Sequence, residues 1–207
     1  MSLVAEKSVI KRLGLLEYRP ALRAMKEFTA GRTEKTADQL WLLEHPPVYT
    51  LGQGADDVAV GNGIPVVRSD RGGEITYHGP GQAILYTLVD LARRGIKVKR
   101  FVWLLEQAVI DLLGAHSSIP GERKPGAPGV YVEGAKIAAL GIRVSRGRAY
   151  HGLALNVDMD LSPFAAIDPC GYPGLAVTQT KDLGFTESMD FLGSRLAKIF
   201  IENLEHA

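Results

Sequence analysis

The sequence predicts one α+β domain, built on a mixed and mostly antiparallel sheet with helices on its faces. Short apolar segments follow one another through tight turns rich in Gly and Pro, and only three or four segments have the spacing of a helix face. No stretch of the 207 residues has the composition of a linker, and a chain of this length is expected to form one full domain. We therefore expect a single domain over residues 1–207.

The first half of the chain predicts six strands and one helix. Ala21, Met25 and Phe28 are spaced as on one helix face, which predicts a helix at 21–30. Pro46 and Pro47 lack backbone donors and force an extended segment between two strands. The strands are expected at 10–18, 40–43, 48–51, 65–68, 75–78 and 83–91, with a loop or hairpin before the fourth.

The second half predicts two helices and a hairpin. Val102, Leu105, Val109 and Leu112 form a helical stripe, which predicts a helix at 102–113. Strands at 129–132 and 136–144 flank a Glu-Gly turn and predict the hairpin. A loop at 117–128, a strand at 153–157 and a C-terminal packing helix beginning near Glu187 complete the prediction.

Composition and charge exclude several classes of protein. With 46% hydrophobic residues and a net charge of +1, the chain resembles neither a disordered protein nor a nucleic-acid-coating or polybasic membrane-binding one. The single Cys170 excludes an intramolecular disulfide and a multi-cysteine metal site, and no His spacing favours a metal. Charges interrupt the N-terminal segment before an apolar core accumulates. We expect a cytoplasmic protein with no metal, nucleic-acid or membrane partner.

Two residues are candidates for nucleophilic chemistry. Cys170 lies in a Pro- and Gly-rich segment, 168–174, where a thiol can project from a turn, although cysteine is more often a small buried hydrophobe. Lys136 is predicted to share a strand face with Ala138, Leu140 and Ile142. Apolar surroundings favour the neutral form of the lysine amine, which suits proton transfer. While the amine is still charged, it stabilises a neighbouring thiolate. The alternative is a strand-end lysine whose amine reaches water.

The sequence leaves the roles of two histidines and of one glycine-rich segment undecided. His78 and His151 each follow a tyrosine and precede a glycine, and either is a base, a hydrogen-bond donor or, by default, a satisfied interior histidine. Arg71-Gly72-Gly73 is similar to an anion-binding loop, but neither glycine-rich nucleotide motif is present. Nucleotide binding is therefore only weakly indicated.

Five segments in order resemble the octanoyltransferase family. They are His45-Pro-Pro-Val-Tyr-Thr-Leu-Gly52, Arg71-Gly-Gly-Glu-Ile-Thr-Tyr-His-Gly-Pro-Gly-Gln82, Gly134-Ala-Lys-Ile-Ala-Ala-Leu-Gly-Ile-Arg143, His151-Gly-Leu-Ala-Leu-Asn-Val157, and 164–171 with its Pro169-Cys170-Gly171 end. The match covers most of the chain. It implies a fold like that of lipoate and biotin protein ligases, and one catalytic acyltransferase domain.

The resemblance also implies a reaction and its residues. An octanoyl or lipoyl group would pass from acyl carrier protein to a lysine of a lipoyl domain, the first step of endogenous protein lipoylation. Cys170 matches the family's acyl-accepting cysteine and Lys136 its partnering lysine. The matching acyl-binding positions are Arg71, Gly72, Gly73, Glu74, Ile75, Thr76, Tyr77, His78, Ala139, Leu140, Gly141, Gly152, Leu153 and Ala154.

No cofactor is implied, because the acyl group arrives on the phosphopantetheine of acyl carrier protein. The implied acceptors are lipoyl domains of 2-oxoacid dehydrogenase complexes and the glycine cleavage H protein, and we expect a monomer. Basic residues at 97–100 or 143–148 are candidates for contact with the acidic carrier, although such runs are usually solvated. Three alternatives stay open: an ATP-dependent lipoate or biotin ligase, a Cys–His hydrolase, and a non-catalytic lipoyl-domain-binding module.

Overall fold

A computed structural model describes residues 8–115, 120–167 and 174–207. The strands are β1 (Val9–Leu15), β2 (Gln39–Glu44), β3 (Val48–Leu51), β4 (Val66–Arg68), β5 (Ile75–His78), β6 (Gln82–Asp90), β7 (Gly129–Val132), β8 (Ala135–Ser145) and β9 (Arg148–Asn156). The helices are α1 (Tyr18–Gly31), α2 (Leu91–Arg94), α3 (Val98–Gly114) and α4 (Met189–Glu205), with 3₁₀ helices at Ser162–Ala166 and Thr180–Leu183.

The larger sheet has six strands in the order β1-β2-β6-β9-β8-β7. Among the strands that the described residues form in it, β1 and β2 run parallel and the other neighbours are antiparallel. This arrangement confirms the predicted mixed and mostly antiparallel sheet, as well as the α+β class. The central strands β6 and β9 are almost entirely buried, because helices cover one face and both a helix and the smaller sheet cover the other.

A second sheet of three strands, in the order β4-β3-β5, was not predicted. It lies within an excursion of residues 45–81 between β2 and β6, which are themselves direct neighbours in the larger sheet. The paired prolines after β2 direct the chain away from that sheet. The Gly81 N–H closes the excursion by donating to Glu44 Oε2 at 2.6 Å.

The helices divide between the two faces of the larger sheet. Apolar residues of α3 and α4, such as Leu105 and Leu196, pack with Leu155 and its neighbours in the main core. Helix α1 covers the opposite face through Ala21 and Met25. Burial of these stripes is the main favourable contribution to folding. The smaller sheet lies on the same side as α1, since Tyr18 packs against strands β3 and β4.

Several predicted boundaries are wrong. Strand β1 ends at Leu15 and α1 begins at Tyr18, because a proline in the first turn is compatible with a helix. Strand β9 begins at Arg148, five residues earlier than predicted. The short α2 was missed; Asp90 caps its start, and Gly95 ends it with φ of 68°. The predicted hairpin is confirmed by the pairing of β7 with β8.

Residues 117–119 of the predicted 117–128 loop lie outside the described residues. None of the described helices has the length and apolar composition needed to cross a bilayer. The assignment of residues 1–207 to one domain stays a prediction.

Candidate active site

An elongated pocket lies between the two sheets, over strands β8, β9 and β6 of the larger one. Of the fourteen predicted acyl-binding residues, all but Gly72 and Tyr77 line it, as does Lys136. Tyr77 lies on the other face of β5, where it packs with Tyr49 and Phe164. The backbone N–H of Gly72 donates to the Ile142 carbonyl at 2.9 Å, which fixes the loop over the edge of β8.

Small residues form the floor of this pocket. Ala139 pairs with Ala154 and Gly141 with Gly152 across strands β8 and β9, so two alternate pairs, on either side of Leu140 and Leu153, present little or no side chain. A Cβ atom on Gly152 would lie 2.1 Å from the Leu85 carbonyl oxygen, and one on Gly141 would lie 2.9 Å from the Gly72 carbonyl oxygen. Neither position therefore accepts a larger residue without backbone movement, and the result is a shallow trough.

A β-bulge determines where Lys136 lies. Val130 pairs with Ala138 but Tyr131 pairs with Lys136, so Ile137 is an extra residue in β8. Because of the extra residue, the side chains before the bulge lie on the opposite face of the sheet from the one that regular alternation predicts. Ile137 and Ala138 join the main core, whereas Lys136 is on the face of Ala139. The predicted grouping of Lys136 with Ala138, Leu140 and Ile142 is wrong for this reason.

Lys136 is buried at one end of the trough, with 3% of its surface exposed. Its Nζ lies 3.4 Å from the Pro128 carbonyl oxygen and 5.2 Å from the centre of the Tyr131 ring. The amine is therefore held by a carbonyl and an aromatic face rather than directed into solvent. The predicted alternative of a strand-end lysine exposed to water is wrong.

Cys170 lies in the segment 168–173, outside the described residues. The chain that follows it is hydrogen-bonded beside Lys136. The Lys136 N–H donates to the Ala176 carbonyl at 2.8 Å, and the Thr178 N–H donates to the Lys136 carbonyl at 3.0 Å. Val177, between them, lines the pocket. Residues 176–178, which follow the cysteine-containing segment in the chain, therefore lie at the lysine end of the trough.

Two buried neutral histidines lie at the pocket: His78 lines it, and His45 packs against the His78 ring with centroids 5.8 Å apart. His45 Nδ1–H donates to the Leu16 carbonyl, so its Nε2 accepts from the Tyr86 hydroxyl at 2.6 Å. His78 Nδ1 lies 2.7 Å from Gln82 Oε1, and its Nε2 lies 3.4 Å from Thr50 Oγ1. Both nitrogens of His78 have partners, which confirms the default interpretation of a satisfied interior histidine.

The buried position of these two histidines shifts their titration. Burial lowers the pKa of His45 to about 4 although its bond to the Leu16 carbonyl opposes the shift. Burial and the neighbouring His45 lower the pKa of His78 to about 3. Both rings are therefore neutral at pH 7, and His78 contributes an uncharged polar group to the pocket lining.

This shift predicts a stability loss in mild acid. In the unfolded chain both histidines gain protons as the pH falls through about 6.5, whereas in the folded protein they stay neutral to about pH 4 or below. The unfolded state then binds more protons, so the free energy of unfolding should fall by up to about 3 kcal/mol per pH unit between about pH 6 and 4. Urea unfolding at several pH values measures it. A flat profile between about pH 6 and 4 would contradict the buried neutral state of His45 and His78.

His151 lies at the other end of the trough and has an unusual backbone. Its φ is 62°, a conformation that residues other than glycine adopt rarely. Its Nε2 lies 2.9 Å from Asp70 Oδ1, and the neighbouring Tyr150 hydroxyl donates to Asp70 Oδ2 at 2.5 Å. Burial opposes ionisation of Asp70, but the bonds from His151, Tyr150 and Lys26 hold its pKa well below the usual range. Burial lowers the pKa of His151 despite the adjacent carboxylate.

Several pocket residues were missed by the sequence analysis. Tyr18, Tyr86 and Asn156 line the pocket, and all three are buried. Tyr86 follows three apolar residues of β6, and a buried tyrosine usually has a polar partner. A tyrosine at this place in the strand was the feature of the sequence that could have indicated a polar group in the pocket. The bond to His45, 41 residues earlier, was not visible in the sequence.

The two-sheet fold and its trough define an acyl-handling catalytic domain. The chain matches the lipoyl protein ligase A/B catalytic domain family over residues 17–201 and belongs to that family. It is 61% identical to an octanoyltransferase of Thiobacillus denitrificans, over 88% of this chain and 84% of the relative. It is 54% identical to an octanoyltransferase of Dechloromonas aromatica, over 95% and 97% of the two chains. These relatives confirm the predicted resemblance and the acyltransferase class.

Solved structures confirm the predicted fold. A lipoate-protein ligase A bound with ATP superposes with a TM-score of 0.79 at 17% identity, covering 96% of this chain and 86% of the other. A biotin protein ligase from Aquifex aeolicus gives 0.56 at 11% identity, covering 97% and 69%. At such identities the likeness concerns the fold alone. It shows that this arrangement of sheets is shared with enzymes that attach lipoate or biotin.

Proposed function

We propose that the protein transfers an octanoyl or lipoyl group from acyl carrier protein to a lysine of lipoyl domains, through a thioester on Cys170. The observation that carries the proposal is the trough of small residues that ends at buried Lys136, beside the chain that follows Cys170. The high identity to octanoyltransferases supports the same reaction.

The trough suits a straight apolar chain. Ala139, Gly141, Gly152 and Ala154 leave the backbone of two strands accessible, so an alkyl chain can contact the sheet directly. Ile75, Thr76 and Phe164 contribute to the lining from the other side. We assign the fourteen predicted positions to acyl binding on this basis, with Gly72 and Tyr77 supporting the wall from behind.

In the first step the Cys170 thiolate attacks the thioester carbonyl carbon of the donor. A new carbon–sulfur bond forms to Cys170, and the bond to the phosphopantetheine sulfur breaks. The Lys136 ammonium stabilises the attacking thiolate and gives its proton to the departing thiolate. The carrier leaves as a thiol, and Lys136 is left as a neutral amine.

In the second step the ε-amine of the acceptor lysine attacks the Cys170 thioester. The neutral Lys136 amine takes the proton released as the amide bond forms, and Cys170 leaves as a thiolate. This regenerates the starting pair. Since the donor thioester supplies the free energy of amide formation, the mechanism requires no ATP, metal or cofactor.

The partners follow from the proposed reaction. The acceptors are lipoyl domains of 2-oxoacid dehydrogenase complexes and the glycine cleavage H protein; one structural neighbour is a bipartite lipoate ligase described with its E2 lipoyl domain. Lys97, Lys99 and Arg100 are exposed near the start of α3 and available to an acidic carrier. We place the reaction in the cytoplasm, because a reducing compartment keeps a thiolate nucleophile available. We propose that the protein acts there as a monomer.

Two parallel reactions test the proposal. One contains octanoyl-carrier protein, a lipoyl domain and no ATP; the other contains free octanoate, ATP and the same domain. We expect the lipoyl domain to gain one octanoyl group only in the first reaction. Acylation only in the second would identify an ATP-dependent ligase. Free octanoate without an amide product would identify a hydrolase, and binding without either product would identify a binding module.

A further inference from the structure

The two ring nitrogens of His151 have different surroundings. Nε2 faces Asp70 Oδ1 at 2.9 Å, whereas Nδ1 is buried and has no hydrogen-bond partner among the residues that the structure describes. The side chain is 1% exposed and lines the acyl pocket. A buried polar atom without a partner destabilises a protein, so its presence on a pocket wall calls for a ligand.

The surroundings of Asp70 determine what Nδ1 can do. The carboxylate receives the Tyr150 hydroxyl at 2.5 Å and an ion pair from Lys26 at 3.1 Å, both of which favour its ionised form. An ionised carboxylate only accepts, so Nε2 of His151 carries the hydrogen. In the neutral ring Nδ1 then carries a lone pair. It is a hydrogen-bond acceptor, and the ligand that suits it brings a donor.

The backbone of His151 places its ring on the pocket side of β9 at a cost in strain. Regular alternation in β9 would place Tyr150 on one face and His151 on the other, with Leu153 and Leu155. At φ of 62° the ring instead stacks on that of Tyr150, with centroids 5.0 Å apart, and both side chains reach Asp70. Strained conformations of this kind cluster at ligand-binding sites.

The strand register places His151 far from Lys136. His151 pairs with Ile142 and Leu155 pairs with Ala138, four residues earlier in β8, which corresponds to about 13 Å. Lys136 lies beyond Ala138 on the same strand. An acyl group whose carbonyl reacts near Lys136 therefore points its last carbons toward His151. The ring of Tyr86 packs edge-on against that of His151 with centroids 6.0 Å apart, and the Tyr18 hydroxyl donates to Ser69, the residue before Asp70.

We propose that this end of the pocket is a hydrogen-bonding subsite for a donor at the end of the acyl chain. Nδ1 of His151 accepts from a hydroxyl or thiol on or next to the terminal carbon. The substrate class therefore includes medium-chain acyl groups with such a substituent, in addition to the unsubstituted octanoyl group. This inference rests on the proposed function, because it assumes that the trough holds the acyl chain.

An isosteric pair of donors tests it. 8-Hydroxyoctanoyl and nonanoyl groups, each on acyl carrier protein, differ only in a terminal hydroxyl or methyl. The ratio of their kcat/KM values in the wild type should favour the hydroxyl by tenfold or more, because a pocket without an acceptor disfavours a buried hydroxyl. A wild-type ratio of one or less would overturn the inference. Failure to transfer octanoyl itself would overturn the proposed function instead.

Variants of His151 provide the second arm. His151→Leu removes the acceptor and should lower the ratio at least tenfold. His151→Asn tolerates positive φ and keeps an acceptor oxygen near the position of Nδ1, so it should retain the preference. Tyr150→Phe is the matched control, since it removes a bond to the same carboxylate but leaves Nδ1 in place. A preference that persists in folded His151→Leu would overturn the assignment, and the wild-type ratio decides the question if that variant does not fold.

Discussion

Replacing Cys170 with alanine is expected to lower octanoyl transfer at least about 10³-fold, because the variant has no nucleophile to hold the acyl group. The measurement is the rate at which a lipoyl domain gains octanoyl mass from octanoyl-carrier protein. Thermal unfolding of the wild type and the variant, measured in parallel, separates a loss of chemistry from a loss of folding. Because Cys170 is the single cysteine of the chain, loss of thiol labelling confirms the substitution directly.

A rate within tenfold of the wild type would contradict the role of Cys170. In that case the acyl group would pass directly from carrier to acceptor lysine. The trough and Lys136 would still bind and activate the substrate, but the two-step mechanism would be wrong.

Replacing Lys136 with methionine is expected to lower transfer by about 10²- to 10⁴-fold, the usual range for loss of a positioned acid and base. Methionine retains the length and apolar stem of the side chain but lacks the amine. The expected loss is in both half-reactions, because the same amine gives a proton in the first and takes one in the second. Single-turnover acylation and deacylation rates measure the two separately.

Lys124→Met is the matched control for this variant. Lys124 also contacts the Tyr131 ring, at 5.8 Å from its centre compared with 5.2 Å for Lys136, but it is exposed and does not line the pocket. Its substitution should leave both rates within about threefold of the wild type. If both variants lowered the acylation and deacylation rates equally, the reaction would depend on packing against Tyr131 rather than on the Lys136 amine.

The sequence predicts the local elements of this fold well and their assembly less well. Strands β2, β5 and β6 and the helices α1 and α3 follow from apolar spacing and turn residues. The separation into two sheets depends on which distant strands pair, as β2 does with β6 across residues 45–81. Periodicity within each strand contains no information about that pairing.

The candidate site shows the same division. Family resemblance predicts the residues of the trough, and twelve of fourteen line the pocket. The bulge at Ile137 could not be predicted, because an extra residue is defined only by the pairing of β8 with β7. The bonds of His151 and Tyr150 to Asp70 join residues about 80 positions apart. Such contacts arise from the tertiary fold rather than from a local pattern.

The central claim is that Cys170 carries the acyl group, and the intact mass of the protein tests it most directly. After incubation with octanoyl-carrier protein without ATP or acceptor, the wild type should gain one octanoyl group that hydroxylamine removes. Cys170→Ser should gain no hydroxylamine-sensitive group. If the wild type transfers octanoyl to a lipoyl domain yet never gains this mass, even at early times, the thioester mechanism is contradicted.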